Sequence, residues 1–166
     1  VFVFAPDGRI RLCTINCPGT WHDSAMADYG IYEKMGKVYN MSKGKVVVDS
    51  AFKFLRVEFL LKSSQQAPID ATASQIVLND SLTAARQCSE HGMRMINGQF
   101  PRLKDRMPLG DFQDRKVIMY LMVLLYNYQT YNVGINHILN NYMSQTPGFS
   151  SHKVRFHSYN TTITTT

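Results

Sequence analysis

The chain opens on an apolar run. Positions 1–5, Val-Phe-Val-Phe-Ala, are β-prone, Asp7-Gly8 is a turn dipeptide, and Arg9-Ile10-Arg11-Leu12-Cys13-Thr14-Ile15 alternates polar and apolar with period two. Alternation of that period sorts side chains onto the two faces of a strand, so the pattern predicts a β-hairpin with a half-buried second strand. Pro18-Gly19 breaks the strand, and Thr20, Asp23 and Ser24 offer side-chain oxygens to the first amides of a helix expected over about residues 23–35. After the turn-prone residues 39–44, Lys45-Val46-Val47-Val48-Asp49 is a β-branched run without alternation. Such a run predicts a strand covered on both faces, here ending in an acid.

Residues 52–61 are apolar but irregular, and residues 63–68 read as a loop. Leu82, Ala85, Ser89, Met93 and Ile96 then recur every three or four positions, the spacing of one buried helical face, with Glu90 just beside the stripe. Gly98, Pro101 and Pro108 interrupt the pattern, and Arg102, Lys104 and Arg106 make the interruption basic. A second long helix is expected over about residues 114–131, apolar almost all round and therefore deeply buried, with Gly134 ending or bending it before residues 135–143. The last 23 residues, 144–166, hold ten Ser or Thr and no acid, which predicts a flexible tail behind a folded part spanning residues 1–143.

Composition narrows this picture. With 45% apolar and 18% charged residues, the 166-residue chain is a folded globular domain, or a piece of a larger one, and not a disordered segment, and the strands and helices expected above make it α/β. Its longest apolar run, residues 117–126, is far below the roughly 18 residues of a membrane span. The net charge of +6 is unevenly placed: no acid follows Asp114, while Arg115, Lys116, Lys153 and Arg155 do, and a polyanion such as DNA suits that surface. Three cysteines, Cys13, Cys17 and Cys88, are an odd number with no signal-peptide pattern, which predicts free thiols in a reducing compartment. Because Val1 already lies in a strand pattern, further residues are expected before it.

Candidate chemistry rests on three acids that the expected elements carry to one sheet edge: Asp23 at a helix start, Asp49 at a strand end and Glu90 inside a helix. Carboxylates from a strand end and a facing helix are how proteins hold hard divalent cations, which demand oxygen ligands. The same residues also fit a plain structural role, with Asp23 as an N-cap, Asp49 opening a turn with Ser50, and Glu90 pairing with Arg86 or Arg94 one turn away. Cys13 and Cys17 lack the second Cys pair of a zinc site. Trp21, Tyr126, Tyr128 and Tyr131 fit either base stacking or core packing. Neither a Gly-rich phosphate loop nor a Gly-x-Ser-x-Gly elbow occurs, which argues against nucleotide-binding and α/β-hydrolase chemistry.

Read in order, "APDGRI", "NCPGTWHDSAM", "GKVVVDSAF" and "SEHGMR" resemble the DDE superfamily endonucleases, specifically transposases of the PIF/Harbinger kind, over about residues 1–143. The resemblance implies a ribonuclease H-like fold and a nuclear DNA endonuclease or transposase that cleaves phosphodiesters with two Mg²⁺ (or Mn²⁺) ions. Residue by residue it makes Asp49 and Glu90 the second and third catalytic, metal-binding acids. His22 and Asp23 match an accessory His-Asp pair, and Arg86, Arg94, Arg102 and Lys104 become candidate DNA contacts. The family's first catalytic Asp stands on a central strand before the hairpin, so the resemblance implies an N-terminally truncated domain lacking that strand. A separate Myb-like DNA-binding partner is implied as well. A catalytically inactive remnant that binds DNA or protein is the alternative expectation.

Overall fold

The computed structural model describes residues 1–49, 51–52, 58–62, 71–101, 111–133, 138 and 162–165. In chain order its elements are β1 (Phe2–Phe4), β2 (Ile10–Ile15), α1 (Asp23–Asp28), α2 (Ile31–Ser42), β3 (Val46–Val48), β4 (Leu60–Lys62), α3 (Ala73–Gln99), α4 (Phe112–Val133) and β5 (Thr162–Thr165). This is a mixed α/β architecture of small sheets and covering helices.

The hairpin forms where alternation and the Asp-Gly dipeptide place it. β1 and β2 pair antiparallel, Phe2 opposite Cys13 and Val3 opposite Leu12, with a shift of register between Val3 and Phe4. At the tip Gly8 takes φ 82°, a left-handed conformation that costs glycine little, and its N–H donates to the Ala5 carbonyl at 2.8 Å. Asp7 accepts from the Arg9 backbone N–H and pairs with the guanidinium groups of Arg9 and Arg11 at 2.7 and 2.9 Å. β2 is covered on both faces and not on one. Ile10, Cys13 and Ile15 pack with Ile96, Met122, Val123 and Tyr126, whereas Leu12 joins a second cluster around Ala27, Ile31, Met35, Val48, Phe59 and Leu60.

The single helix expected over residues 23–35 is two. Gly30 sits between them at φ 94°, outside the range a right-handed helix can continue through, and α2 then runs into the turn-prone residues to end at Ser42, capped by Lys43 at φ 56°. β3 forms as expected and pairs parallel with β4, whose three residues close the irregular apolar stretch.

α3 starts well before its apolar stripe because Thr72 and Gln75 form a capping box, each side chain bonding the other's backbone N–H. Its buried residues are Cys88, Gly92 and Ile96, so the stripe is rotated from the expected one and Met93 is exposed. α4 also departs from expectation: Met122, Val123, Tyr126 and Thr130 are buried, but Val117, Leu121, Leu124, Tyr128 and Tyr131 are exposed. Among the described residues only one side of α4 meets the sheet. There the Asn127 side chain behaves like a neighbouring strand, accepting from the Ile10 N–H at 2.8 Å and donating to the Ile10 carbonyl at 2.9 Å.

The strands fall into two sheets, β1-β2-β5 and β3-β4, with β5 parallel to β2. Among the described residues β1 and β3 are edge strands, and α3 packs against both.

Candidate functional site

β3 delivers Asp49 to its C-terminal end. Val48 is buried, which anchors the strand, and the next residue emerges with its side chain 52% exposed. α3 crosses beside this end and contributes Arg86 and, one helical turn on, Glu90. The Arg86 Nη1 lies 3.4 Å from Asp49 Oδ1, and its Nε lies 3.9 Å from Glu90 Oε1. One guanidinium therefore stands between two carboxylates, which places them no more than about 10 Å apart. Of the two arginines that spacing offered to Glu90, the structure uses Arg86; Arg94 is exposed one turn beyond.

These contacts are long and partly in water, so each ion pair is worth at most about 1 kcal/mol. Arg86 Nε is nonetheless buried without a hydrogen-bond acceptor, the Glu90 carboxylate lying just beyond bonding range. Two carboxylates against one guanidinium leave a net charge of −1, which attracts cations. Oxygen donors in pairs are also how Mg²⁺ is commonly held, with water and substrate phosphate completing its shell. Asp49 and Glu90 thus fit a hard cation by donor type. Among the described residues no group of three or more His, Cys, Asp or Glu side chains is assembled.

The third acid of the sequence reading does not join them in such a group. Asp23 begins α1. His22 is the N-cap residue, yet neither it nor Asp23 makes a side-chain cap; the His22 carbonyl accepts from the Ala25 and Met26 N–H groups. Both side chains are exposed at the start of α1. Arg102 and Lys104 lie outside the described residues.

A cleft of about 410 Å³ opens between the end of β2 and the start of α4, with Cys17, Trp21, Tyr29, Phe112 and Arg115 among its walls. The Trp21 and Tyr29 rings are 6.0 Å apart, and Arg115 is held by Asn16, its Nε donating to Oδ1 at 3.2 Å. Burial pushes the Cys17 thiol up in pKa. All three cysteines are free thiols. Tyr126 is a core residue whose hydroxyl donates to the Gly8 carbonyl, whereas Tyr128 and Tyr131 are exposed. Sequence reasoning placed Arg86 beside Glu90 but missed its reach to Asp49, 37 residues away, because no local pattern encodes that contact.

No curated protein and no solved structure matches the chain. A family model described as DDE superfamily endonuclease matches residues 1–127, from β1 into α4, and so includes Asp49, Arg86 and Glu90. With well over half of its length matched, the chain belongs to the DDE superfamily endonucleases.

Proposed function

We propose that this chain is a metal-dependent DNA endonuclease domain of a nuclear transposase of the PIF/Harbinger kind, with Asp49 and Glu90 as the acids that hold Mg²⁺ or Mn²⁺. The observation that carries the reading is the convergence of these two carboxylates on Arg86, where the end of β3 meets α3, inside the stretch matched to the family. A divalent ion held there supplies Lewis acidity toward a phosphodiester. The remaining work falls to this chain's own side chains. Arg86 neutralises one carboxylate while the site is empty of substrate and is placed to turn toward a phosphate oxygen when DNA arrives. Arg94, one turn from Glu90, together with Arg102 and Lys104, would hold the flanking backbone. A ribonuclease H-like plan is consistent with α3 packing on both β1 and β3: a further strand, carrying the family's first acid, would lie between those two edges. Sequence choice on DNA would then come from a separate Myb-like partner.

A second reading, a catalytically inactive remnant that binds DNA or protein, is favoured by one observation: only two acids converge among the described residues, and a cation already bridges them. Calorimetric titration of the full chain with Mn²⁺ and Mg²⁺ separates the two. The nuclease reading expects saturable binding that Asp49→Asn or Glu90→Gln weakens at least about tenfold. Absence of binding at millimolar metal, or binding unchanged in both variants, would leave the inactive reading standing.

A further inference from the structure

We propose that the exposed face of α4 is the interface of a two-fold symmetric homodimer, in which α4 of one copy packs antiparallel on α4 of the other. Val117, Leu121, Leu124, Tyr128 and Tyr131 follow one another at steps of four, three, four and three residues, the heptad spacing of a seam that meets another helix. They lie opposite the side of α4 that packs on the sheet, where Met122, Val123, Tyr126 and Thr130 are buried. With Ile118 and Leu125 along one flank, every residue of this face is between 41% and 71% exposed.

Area, charge and shape together select a second copy as the occupant. The exposed fractions amount to roughly 700 Å² of surface per copy, more than the roughly 300–600 Å² of the largest patch on a typical monomer. Two such faces bring together roughly 1,400 Å², within the range of a stable specific interface. From Val117 to Val133 the helix carries no charged residue, so the face offers nothing to a DNA phosphate or an anionic lipid headgroup and nothing that repels its own copy. At one end of this face Arg9 stacks 5.5 Å from the Tyr131 ring centre, its charge already paired with Asp7. No helix among the described residues is long and apolar enough to cross a membrane.

The order of side chains also suits self-pairing in one direction. With the two-fold axis at Leu124, an antiparallel partner sets Val117 level with Tyr131 and brings Leu121 within one residue, about 1.5 Å of rise, of the level of Tyr128, a smaller side chain beside each large one, over a seam about 21 Å long. A parallel partner would set Tyr128 on Tyr128 and Tyr131 on Tyr131. Antiparallel packing also opposes the helix dipoles favourably. The inference does not rest on the nuclease reading.

Sedimentation velocity of the full chain tests it. Wild-type protein is expected to move from the 19.0 kDa monomer toward twice that mass as concentration rises through the micromolar range. Leu124 meets its own copy at the axis, so Leu124→Glu and Leu124→Arg each place like charges together and are expected to raise the dissociation constant at least about 100-fold. Mixing the two variants places Glu against Arg and restores the dimer, a rescue that general misfolding of either variant cannot produce. Wild type that stays monomeric up to about 100 µM, whether this face is bare or covered by the chain itself, overturns the proposal. So does a dimer that either single variant leaves intact, or a mixture that stays monomeric while both variants keep the wild-type helical circular dichroism.

Discussion

Replacing Gly92 with alanine sets two opposing terms against each other inside α3. In an open helical position the change gains about 0.8–1 kcal/mol, because glycine loses more backbone freedom on folding than alanine. At Gly92, however, the new Cβ would stand 2.9 Å from Cε1 and Cζ of Phe4 and 3.0 Å from Cδ1 of Ile138, closer than carbon atoms pack. Phe4 cannot swing aside freely, since its ring packs edge-on against buried Tyr126 at 6.2 Å, and Ile138 is itself buried. Overpacking of this kind costs about 1–3 kcal/mol, so Gly92→Ala is expected to destabilise the chain by up to about 2 kcal/mol despite the better helix former. Gly98 provides the control: it is in the same helix, and a Cβ there meets nothing within 4 Å. Gly98→Ala is expected to be neutral or to stabilise by a few tenths to about 1 kcal/mol. Urea unfolding followed by circular dichroism, with the slope checked for two-state behaviour, measures both. If Gly92→Ala proves as stable as Gly98→Ala, the close approach of α3 to β1 is wrong, and with it the placement of Glu90 two residues earlier.

Asn127→Ala removes both bonds to the Ile10 backbone and is expected to cost about 1–3 kcal/mol, and Asn127→Asp, which keeps the acceptor but turns a carboxylate oxygen toward the Ile10 carbonyl, is expected to cost at least as much; urea unfolding reads both. Because its pKa is raised, Cys17 holds its proton further up the pH scale than a free cysteine. Its alkylation by iodoacetamide should be slower than that of glutathione at neutral pH and should accelerate only at higher pH, and equal rates would contradict its burial. Arg86→Met takes a positive charge from between Asp49 and Glu90, so Mn²⁺ affinity by calorimetry is expected to rise about tenfold while stability falls by less than about 1 kcal/mol; weaker metal binding would mean that Arg86 positions the carboxylates instead.

What could be read from the sequence was what local chemistry decides. The hairpin was legible because Asp7-Gly8 and the alternation of residues 9–15 are short-range signals, and β3 was legible from its unbroken β-branched run. The start of α3 was readable too, as Thr72 followed three residues later by Gln75, but the apolar stripe drew attention further along. The division at Gly30 depends on a left-handed backbone that the sequence allows without requiring. The pattern of α4 misled more instructively. Apolar residues all round a helix predict burial only if another element covers each side, and among the described residues α4 is covered on one side only. The acids show the same divide: Glu90 and Arg86 are paired by helical spacing, Asp49 reaches Arg86 only through the packing of β3 on α3, and Asp23 begins a helix as its sequence predicts without joining the other two in a group of acids among the described residues.

The contact of α3 with both β1 and β3 has a consequence for how the chain opens and closes. Among the described residues no ladder of hydrogen bonds joins the β1-β2 hairpin to the β3-β4 pair; they meet only through side chains, in the cluster around Ile31, Val48 and Leu60 and against α3, so the short β3-β4 pair is expected to open on its own, whereas neither unit can keep its place once α3 melts. Backbone amides in the middle of α3, around Cys88 to Ile96, should therefore exchange with solvent deuterium only through global unfolding. Those of the three-residue β3-β4 ladder should exchange through a smaller, separate opening. Asp49 follows that lesser opening and Glu90 the greater one, which makes the meeting of the two carboxylates a transient the chain can lose without unfolding.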